Sequence, residues 1–499
     1  MNNTPNTINA VFGNDRAILT SRQMQETDEA AIASGIKGFD LMQTAGGAVA
    51  AAISERWPPQ PVIVLCGPGN NGGDGFVTAS RLKVAGWPVR LASLVSRDRL
   101  VGDAASAATL WKDPIELFTP KCLDNSGIAV DAMFGAGLSR PLTGPALEMV
   151  DALKARGLPI CAIDVPSGVD GSTGQVLGGA AAAELTVTFF RKKPGHLLYP
   201  GRALCGDVVV SDIGIPASIL RPDSVTTWEN GASLWLQDFP WPKPDSNKYT
   251  RGEVLILGGE VMTGASRMAA FAASRAGAGM VTLAAPSSVW NVYASSLLNV
   301  VVHRFDGSAE FIALLTDIRR NAIAIGPGAG VDASTRECVL AALATRRAVV
   351  LDADALSIFA EMPQQLFDAI DGPCVLTPHA GEFKRLFQVE GDKLQSARKA
   401  AWKCGGVIVL KGPDTVIAAP DGRAIINTNG PPQLATAGSG DVLTGFVVAL
   451  LAQGMPAFEA AASAVWLHGA AAAAFGPGLV AQDLPDALPS VLQRLRPSV

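Results

Sequence analysis

Cysteine pairs are missing from this chain. Its 499 residues include only seven cysteines, an odd number, and no two stand in a Cys-x-x-Cys arrangement. The sequence therefore indicates neither a zinc site nor a disulfide framework, and a reducing, cytoplasmic environment fits it best. The seven are Cys66, Cys122, Cys161, Cys205, Cys338, Cys374 and Cys404.

Long apolar runs and basic clusters are missing as well. No uninterrupted apolar run reaches the roughly 18 residues that span a bilayer. Residues 1–17 lack a basic segment followed by an apolar one, and the formal net charge is −5. We therefore expect a soluble protein whose partners include neither a membrane nor nucleic acid.

The Walker motif Gly-x-x-x-x-Gly-Lys-Ser/Thr is absent, so a P-loop is excluded as the source of any nucleotide binding. What the chain has in quantity is apolar residues, 48% of the total, together with 52 Gly and 33 Pro. Single hydrophobic cores stop growing at roughly 250–300 residues, so this composition predicts two domains with many short turns.

The first half begins with two predicted helices and continues as alternating strands and helices. Thr20 with Gln23 predicts a capping box for the first helix, and Asp40 with Gln43 predicts one for the second. Strands are predicted at 61–66, 89–95, 128–132, 159–165 and 185–190. This alternation indicates an α/β domain whose parallel sheet is covered by helices on both faces.

The strand 61–66 leads into a glycine-rich run, Gly-Pro-Gly-Asn-Asn-Gly-Gly-Asp-Gly, and a helix is predicted from Phe76. The run contains the dinucleotide pattern Gly-x-Gly-x-x-Gly. However, Asp74 would place a carboxylate where a pyrophosphate belongs, and the two Asn supply carbonyl oxygens that a phosphate cannot use. The run therefore favours a hydroxylated ligand and suits a cation.

Polar side chains follow two further strands. Asp131 and Asp164 lie at the ends of the strands predicted at 128–132 and 159–165, and Ser167 follows the second of them. Ligands bind beyond the carboxyl ends of parallel strands, so these side chains and Asn71 are expected at one edge of the sheet. Their oxygens suit a hard cation. Capping of the loops is the alternative for each carboxylate.

Three motifs of this half together resemble the NAD(P)H-hydrate epimerase domain, from about Thr20 to Pro216. They are Pro-Gly-Asn-Asn-Gly-Gly-Asp-Gly, Val-Asp-Ala-Met-Phe-Gly-Ala-Gly-Leu and Ile-Asp-Val-Pro-Ser-Gly-Val-Asp-Gly. The resemblance implies a Rossmann-like parallel-sheet sandwich in which Asp164 is catalytic and contacts the ligand. It implies a potassium ion bound by Asn71, Asp131 and Ser167. It also places the hydrated nicotinamide along Asn70, Asn71, Gly72, Gly73, Asp74, Gly135, Ala136, Gly137, Leu138, Ser139, Arg140 and Pro141.

The segment 216–247 is rich in Pro and Trp and shows no clear period. It predicts a boundary, with residues 1–238 as the first domain and 239–499 as the second. Beyond it a second α/β domain is predicted. Its strand ends carry the polar motifs at 325–330, 351–356, 376–382 and 410–415.

Two of these strand ends offer groups for a ligand. His379 stands between a strand-ending Pro and a Gly-Glu helix start, where a ligand-facing role is favoured over that of a surface or core histidine. Lys411 opens the pattern Lys-Gly-x-x-Thr directly after a buried strand, so it offers a cation and backbone donors for phosphate oxygens. A solvated strand end is the alternative for Lys411.

The run 435–445, Ala-Thr-Ala-Gly-Ser-Gly-Asp-Val-Leu-Thr-Gly, opens an apolar helix and indicates an anion site that contains a carboxylate. Gly438 and Gly440 let the backbone approach a ligand, while the helix N-terminus presents free N–H groups. Asp441 either caps this helix or takes a proton from a hydroxyl held beside a phosphate.

The same run resembles the catalytic loop of ribokinase-like folds. From about Asn247 to Leu495 the chain resembles the NAD(P)H-hydrate dehydratase that many bacteria fuse behind the epimerase, although Asn247 stands where many members have His. The resemblance implies a ribokinase-like α/β/α domain in which Asp441 is the base. The implied contacts with the hydrate come from Ala265, Gly330, His379 and Asp441. ADP is implied at Lys411, Gly412, Pro413, Asp414, Thr415, Thr436, Ala437, Gly438, Ser439 and Gly440.

Together the resemblances imply a bifunctional enzyme of nicotinamide nucleotide repair. The first half would interconvert the R and S epimers of hydrated NADH and NADPH (NADHX and NADPHX). The second would dehydrate the S form with ADP and Mg²⁺, giving NAD(P)H, AMP and phosphate. One alternative is a small-alcohol kinase of the ribokinase-like group, and another is an N-terminal half that only binds a ligand. We also expect a homo-oligomer.

Overall fold

The computed structural model describes residues 14–221 and 224–496, which form two compact units. One unit ends at Val225 and the other begins at Thr226. This division lies earlier than the predicted boundary of 238/239, because Thr227–Glu229 pairs in parallel with Ala424–Ile426 and so belongs to the second sheet. The two strands are far apart along the chain, so local composition could not reveal their pairing.

The first unit contains, among the described residues, a seven-stranded sheet in which all neighbouring strands run parallel. Its strands are β1 (Val62–Cys66), β2 (Val89–Ser93), β3 (Glu116–Leu117), β4 (Ile128–Ala132), β5 (Ile160–Ile163), β6 (Leu185–Phe189) and β7 (Asp207–Ser211). Its helices are α1 (Ser21–Ala33), α2 (Gly38–Arg56), α3 (Asn70–Val84), α4 (Gly102–Ala108), α5 (Gly144–Arg156) and α6 (Gly201–Leu204). The strand order is β3-β2-β1-β4-β5-β6-β7, so the direction of the order reverses between β1 and β4, where such sheets bind ligands.

Helix α3 begins at Asn70 rather than at the predicted Phe76, so the residues expected in a glycine loop form its first turns. Close packing explains the glycines. A Cβ on Gly75 would lie 2.6 Å from the Cβ of Ala132 and 2.8 Å from the Sγ of Cys66. Glycine therefore lets the start of the helix lie directly against strands β1 and β4.

One of the two predicted capping boxes is present. The Thr20 Oγ1 accepts a hydrogen bond from the Gln23 N–H at 3.2 Å, and the Gln23 Oε1 accepts one from the Thr20 N–H at 2.9 Å. The box predicted at Asp40 and Gln43 is wrong, because α2 begins at Gly38 and Asp40 already lies within its first turn.

The second unit contains a ten-stranded sheet within the described residues, in the order β11-β10-β9-β12-β13-β14-β15-β16-β17-β8. Its strands are β8 (Thr227–Glu229), β9 (Glu253–Leu257), β10 (Met280–Pro286), β11 (Val301–Phe305), β12 (Ala322–Ile325), β13 (Ala348–Leu351), β14 (Cys374–Leu376), β15 (Val407–Leu410), β16 (Val416–Ala418) and β17 (Ala424–Ile426). Neighbouring strands are parallel except that β16 is antiparallel to both β15 and β17.

Eleven helices accompany that sheet in the part of the chain the structure describes. They are α7 (Thr263–Arg275), α8 (Trp290–Ser296), α9 (Gly307–Leu314), α10 (Ala333–Ala344), α11 (Asp354–Ser357), α12 (Pro363–Ala369), α13 (Ala380–Leu386), α14 (Lys393–Cys404), α15 (Ser439–Ala452), α16 (Ala457–Phe475) and α17 (Asp483–Leu495).

Helix α15 is apolar on all sides, and every residue from Val442 to Ala452 is buried. A helix that is apolar on all sides must be surrounded by other elements of the fold. Helix α7 provides part of it at close range, since a Cβ on Gly445 would lie 2.3 Å from the Ala269 carbonyl oxygen. This packing fixes the start of α15, where the predicted anion site lies.

Among the described residues, no helix is both long and apolar enough to cross a membrane. All seven cysteines are buried as free thiols.

A fragment that begins at Thr226 is expected to be more stable than one that begins at Phe239. The shorter fragment lacks β8 and the indoles of Trp228 and Trp235, which are 1% and 0% exposed. Loss of a large buried aromatic side chain costs about 3–5 kcal/mol. Urea unfolding followed by circular dichroism measures the difference. Equal unfolding midpoints would show that β8 does not stabilise the second unit.

Candidate functional site

A cavity of about 720 Å³ opens in the first unit at the carboxyl ends of β1, β4 and β5, with α1 and α2 along its side. Gly72, Gly73 and Pro141 are not among its lining residues. The predicted ligand-binding residues that do line it are Asn70, Asn71, Asp74, Gly135, Ala136, Gly137, Leu138, Ser139, Arg140 and Asp164.

Asp164 follows β5 with a backbone φ of 67°, which is rare outside glycine. Its Oδ2 accepts a hydrogen bond from the Ala136 N–H at 2.8 Å. Its Oδ1 accepts from Lys193 Nζ at 2.7 Å and from Thr188 Oγ1 at 3.0 Å. Burial would raise the pKa of Asp164, but the Lys193 charge and the hydrogen bonds outweigh it and lower the pKa to about 2. The carboxylate is therefore ionised at neutral pH.

Lys193 and His196 hold Asp164 from a neighbouring segment. The Lys193 side chain is 3% exposed. Its backbone N–H donates to His196 Nδ1 at 2.9 Å, so the proton of the neutral ring is on Nε2, which donates to the Asp164 carbonyl oxygen at 2.7 Å. Burial, together with the Lys193 charge, lowers the pKa of His196 to about 4. Both the side chain and the backbone of Asp164 are thus fixed.

Two of the three predicted potassium ligands, Asp131 and Ser167, are joined by hydrogen bonds. The Asp131 Oδ1 accepts from Ser167 Oγ at 2.6 Å, and its Oδ2 accepts from the Ser167 N–H at 2.8 Å. Asp131 is 1% exposed, and no Lys or Arg of residues 14–221 and 224–496 forms an ion pair with it. Burial raises the pKa of Asp131 against the lowering effect of these bonds. The third, Asn71, lines the cavity, and its Nδ2 is buried with no hydrogen-bond partner in the described chain.

In the second unit, Asp441 lies in the first turn of α15, after the N-cap residue Gly438. Its carboxyl accepts no hydrogen bond from the described residues, so Asp441 does not cap the helix. Burial and the Asp352 charge raise the pKa of Asp441 to about 6, with a further increase from Asp354 and an opposing effect of Lys411. A carboxyl group with this pKa is ionised at neutral pH and can accept a proton.

A buried ion pair lies beside Asp441. The Lys411 Nζ is 2.7 Å from Asp352 Oδ1, and the Asp352 side chain is 2% exposed. Thr444 Oγ1 donates to Asp352 Oδ2 at 2.9 Å, and the Ala353 N–H donates to Oδ1 at 2.9 Å. These contacts connect the ends of β13 and β15 to the start of α15, so the predicted phosphate-binding lysine lies at the anion site.

The remaining predicted nucleotide residues form two turns, 411–415 and 436–440. In the first, the Gly412 N–H lies 3.2 Å from Thr415 Oγ1, which in turn donates to the Gly412 carbonyl oxygen at 2.7 Å. In the second, the Ser439 N–H donates to the Thr436 carbonyl oxygen at 3.4 Å. Contact with a nucleotide remains a prediction for both turns.

The residues predicted to contact the hydrate in this unit have structural partners. His379 caps α13 by accepting backbone hydrogen bonds at its Nδ1, and the Glu382 carboxylate accepts from the His379 N–H at 2.9 Å. The His379 side chain is 56% exposed. The Gly330 N–H donates to Asp354 Oδ2 at 2.9 Å, and Ala265 is buried in α7. Ligand contact stays a prediction for His379, Gly330 and Ala265.

Two family profiles divide the chain as its fold does. One, described as YjeF-related protein N-terminus, matches residues 38–195, and the other, described as NAD(P)H-hydrate dehydratase, matches residues 254–494. A protein of Salinibacter ruber named bifunctional NAD(P)H-hydrate repair enzyme Nnr is 36% identical to this chain, over 95% of the chain and 96% of its own length. A Thermofilum pendens protein of the same name is 35% identical, over 94% of each.

The chain belongs to the bifunctional NAD(P)H-hydrate repair enzymes. Its predicted family, its fold of two α/β domains and its pairing of epimerase with dehydratase are thereby confirmed. A solved structure of the ADP/ATP-dependent NAD(P)H-hydrate dehydratase from Bacillus subtilis, co-crystallised with ATP and Mg²⁺, is 33% identical. It covers 53% of this chain and 98% of its own, with a TM-score of 0.48.

Sequence reasoning gave no role to four residues of the two candidate sites, although Asp352 lies in the polar motif at 351–356 and Thr444 in the run 435–445. Lys193 and Asp28 line the first cavity, and Asp352 and Thr444 lie at the second site. Lys193 and Asp352 each follow a buried strand, so the rule that placed Asp131 and Lys411 could have found them. Asp28 precedes the sheet in α1, where its sequence offers no such signal.

Lys193→Met is expected to destabilise the first unit by about 3–5 kcal/mol at pH 7, because it leaves the Asp164 carboxylate buried without its cation. In the native protein the pKa of Asp164 is lowered from 3.8 to about 2. The resulting stability is present above pH 3.8 and is lost as the pH falls through about 2, so the difference between variant and native protein should shrink over that range. Urea unfolding between pH 7 and pH 2 measures it, with a change of the exposed lysine Lys121→Met as the control. A difference that does not change with pH would show that no ionic pair is involved.

Proposed function

We propose that the first unit epimerises hydrated NAD(P)H and that the second dehydrates the S epimer with ADP. One observation supports both assignments. Each sheet edge holds a lysine–aspartate pair, Lys193 with Asp164 and Lys411 with Asp352. Beside each pair lies a carboxyl, Asp28 or Asp441, that forms no hydrogen bond with the described residues. A reaction at a carbon that carries a hydroxyl group needs a group that accepts the hydroxyl proton. It also needs a fixed charge that stabilises the charge developing in the transition state.

In the first unit, the hydrated ring would lie between the start of α3, at Asn70 to Asp74, and the loop 135–141. Asn71 Nδ2, which is buried and unpaired among the described residues, would donate to an oxygen of the substrate. Asp164 would provide a fixed negative charge, because Lys193 and the Ala136 N–H keep it ionised. Its oxygens are occupied by these donors, so we assign it orientation of the ring and electrostatic stabilisation.

The residues at the end of β4 fit a potassium ion. Asp131 is a buried carboxylate that has no cationic partner in the described chain. Ser167 Oγ and the Phe134 carbonyl oxygen lie beside it, 3.2 Å from each other, and oxygen atoms are the ligands of hard cations. We propose that Asn71, Asp131 and Ser167 hold potassium. The ion would balance the buried charge of Asp131 and stabilise the loop that covers the cavity.

In the second unit, Asp441 takes the proton of the C6 hydroxyl as that oxygen attacks the β-phosphorus of ADP, and AMP leaves. The C6–O bond of the phosphorylated hydrate then breaks and its electron pair leaves with phosphate. C5 gives its proton to solvent, and the C5–H electron pair forms the C5=C6 double bond of NAD(P)H. Lys411 and the N–H groups of the turn 436–440 stabilise the transferring phosphoryl group. We assign ADP to the turns 411–415 and 436–440, and the hydrate to Ala265, Gly330, His379 and Asp441.

We further propose Mg²⁺ as the metal of this step, where it would neutralise charge on the phosphates. No group of three or more His, Cys, Asp or Glu side chains suited to a metal occurs in residues 14–221 and 224–496. This fits an ion bound mainly through phosphate oxygens, as Mg²⁺ commonly is.

A small-alcohol kinase would use the same second site. Family membership favours the dehydratase, and the products separate the two: a kinase leaves a stable phosphate ester, whereas the dehydratase releases phosphate and restores the absorbance of reduced nicotinamide. Incubation of the protein with mixed NADHX and NADPHX and with ADP tests the whole proposal. Absence of reduced nicotinamide would overturn it. A cytoplasmic location and a homo-oligomer remain part of the proposal.

Asp441→Asn is expected to slow dehydration by about 10² to 10⁴-fold, because a positioned general base is lost. The native rate should rise as the pH passes upward through about 6, where Asp441 ionises, and this rise should be absent in the variant. Since the Asp441 carboxyl makes no hydrogen bond with any residue that the structure describes, the variant should still fold, bind ADP and epimerise. Mixed hydrates would then equilibrate without being consumed. Near-normal dehydration would remove Asp441 from the chemistry.

Asp131→Asn is expected to lower epimerisation and to abolish its dependence on potassium, because the neutral amide no longer needs a cation beside it. The measurement compares R-to-S conversion in KCl and NaCl at equal ionic strength. Dehydration of pure S hydrate serves as the control in the same chain. If the native protein converts R hydrate equally fast in both salts, the potassium assignment fails.

A further inference from the structure

Helix α1 contributes the carboxyl group of Asp28 to the first cavity. Asp28 lines this cavity together with Asp74 and Asp164. Neither the Asp28 nor the Asp74 carboxyl makes a hydrogen bond with another described residue. Asp28 is partly exposed, whereas Asp74 is buried inside α3. Asp28, Asp74 and Asp164 are three of the five carboxyl groups that line the cavity, and they differ from one another in burial and in hydrogen bonding. The other two are Asp103 and Glu29, and Glu29 accepts a hydrogen bond from Gln25.

Asp164 is unsuited to proton transfer. Both of its oxygens accept hydrogen bonds, from Lys193 and Thr188 on Oδ1 and from the Ala136 N–H on Oδ2. Its low pKa makes it a very weak base. Any proton that leaves the substrate must therefore go to another group.

Asp74 is unsuited to accept the proton because its pKa is raised rather than lowered. Burial, with the charges of Asp164 and Asp28, raises the pKa of Asp74 well above its usual value. Asp74 is also buried inside α3, and this shift favours its protonated form, in which it would donate a hydrogen bond to a substrate oxygen rather than accept a proton.

The pKa of Asp28 is raised, but less than that of Asp74. Burial raises its pKa, Lys193 lowers it, and Asp164 and Glu29 raise it again, which leaves a pKa of about 6. The 3-10 turn Ala217–Ile219 packed against α1 carries no titratable group. The charged groups that line the cavity with Asp28 are Glu29, Asp74, Asp103, Arg140, Asp164 and Lys193.

We propose that Asp28 is the catalytic base and acid of the epimerase site, exchanging one proton with the C6 hydroxyl of the hydrate. This inference rests on the epimerase function proposed above. The geometry supports it because Asp28 lines the cavity from α1, is partly exposed, and accepts no hydrogen bond from the described residues. It also lies close enough to Lys193 and Asp164 to interact with their charges.

The step balances without another reactant. Asp28 takes the hydroxyl proton, and the electron pair of the O–H bond forms the second C6–O bond. The C6–N1 bond breaks, and its pair passes to N1 and is delocalised through C2=C3 into the carboxamide. Rotation about C5–C6 turns the aldehyde. N1 then attacks the opposite face of C6, and the oxygen takes the proton back from Asp28, which gives the other epimer.

Asp28→Asn tests the proposal in the full chain. Conversion of R hydrate to the S form should fall by about 10² to 10⁴-fold, because a positioned base is lost. The native kcat/KM for epimerisation should rise as the pH passes upward through about 6 and then level off, and this rise should be missing in the variant. Asp28→Glu should keep the rise and recover part of the rate.

Two controls keep the outcomes distinct. Glu26→Gln changes an exposed carboxyl of the same helix that pairs with Arg22 outside the cavity, so it should leave epimerisation unchanged. Dehydration of pure S hydrate reports whether the Asp28 variants are folded. If the native protein fails to epimerise, the proposed function itself is wrong. If the native protein epimerises and Asp28→Asn retains its rate and pH profile, Asp28 is not the proton-exchanging group.

Discussion

Parallel strands all end at the same edge of their sheet, and both sites of this enzyme depend on that constraint. In the first unit, residues separated by many helices meet because β1, β4, β5 and β6 end side by side. In the second, the ends of β13 and β15 bring Asp352 and Lys411 into contact. The two sites are therefore built in the same way, although the sheets differ in length and in their edge strands.

The two buried lysine–aspartate pairs are costly elements. The free energy lost when two charges are removed from water is only partly offset by their mutual attraction, so such pairs add little net stability. These pairs contribute instead by holding charged groups at defined places in the two sites. Lys193 fixes the charge of Asp164 beside the cavity, and Asp352 holds Lys411 where a phosphate would arrive. Each pair also acts on a neighbouring carboxyl, Asp28 or Asp441, whose pKa is left near the pH at which a base is most useful.

Sequence reasoning succeeded where a local signal had one physical meaning. The Thr20 cap, the buried strands and the helix start before Asp441 could be predicted because propensity, glycine content and strand position agreed. It failed where a structural boundary depends on a contact between residues that are far apart in the sequence. The pairing of β8 with β17 moved the domain boundary, and the fit of Gly75 against β1 and β4 moved the start of α3. No local pattern marks Asp28, because only the folded chain brings α1 to the cavity.

The buried cysteines have a consequence for an enzyme whose substrates are damaged redox cofactors. Burial raises the pKa of every one of the seven thiols, so almost none is present as thiolate at neutral pH. The thiolate is the form of cysteine that attacks peroxides and disulfides and is thereby oxidised. Each sulfur is in addition packed away from solvent. The enzyme should therefore keep its structure under the oxidising conditions in which other proteins lose their free thiols.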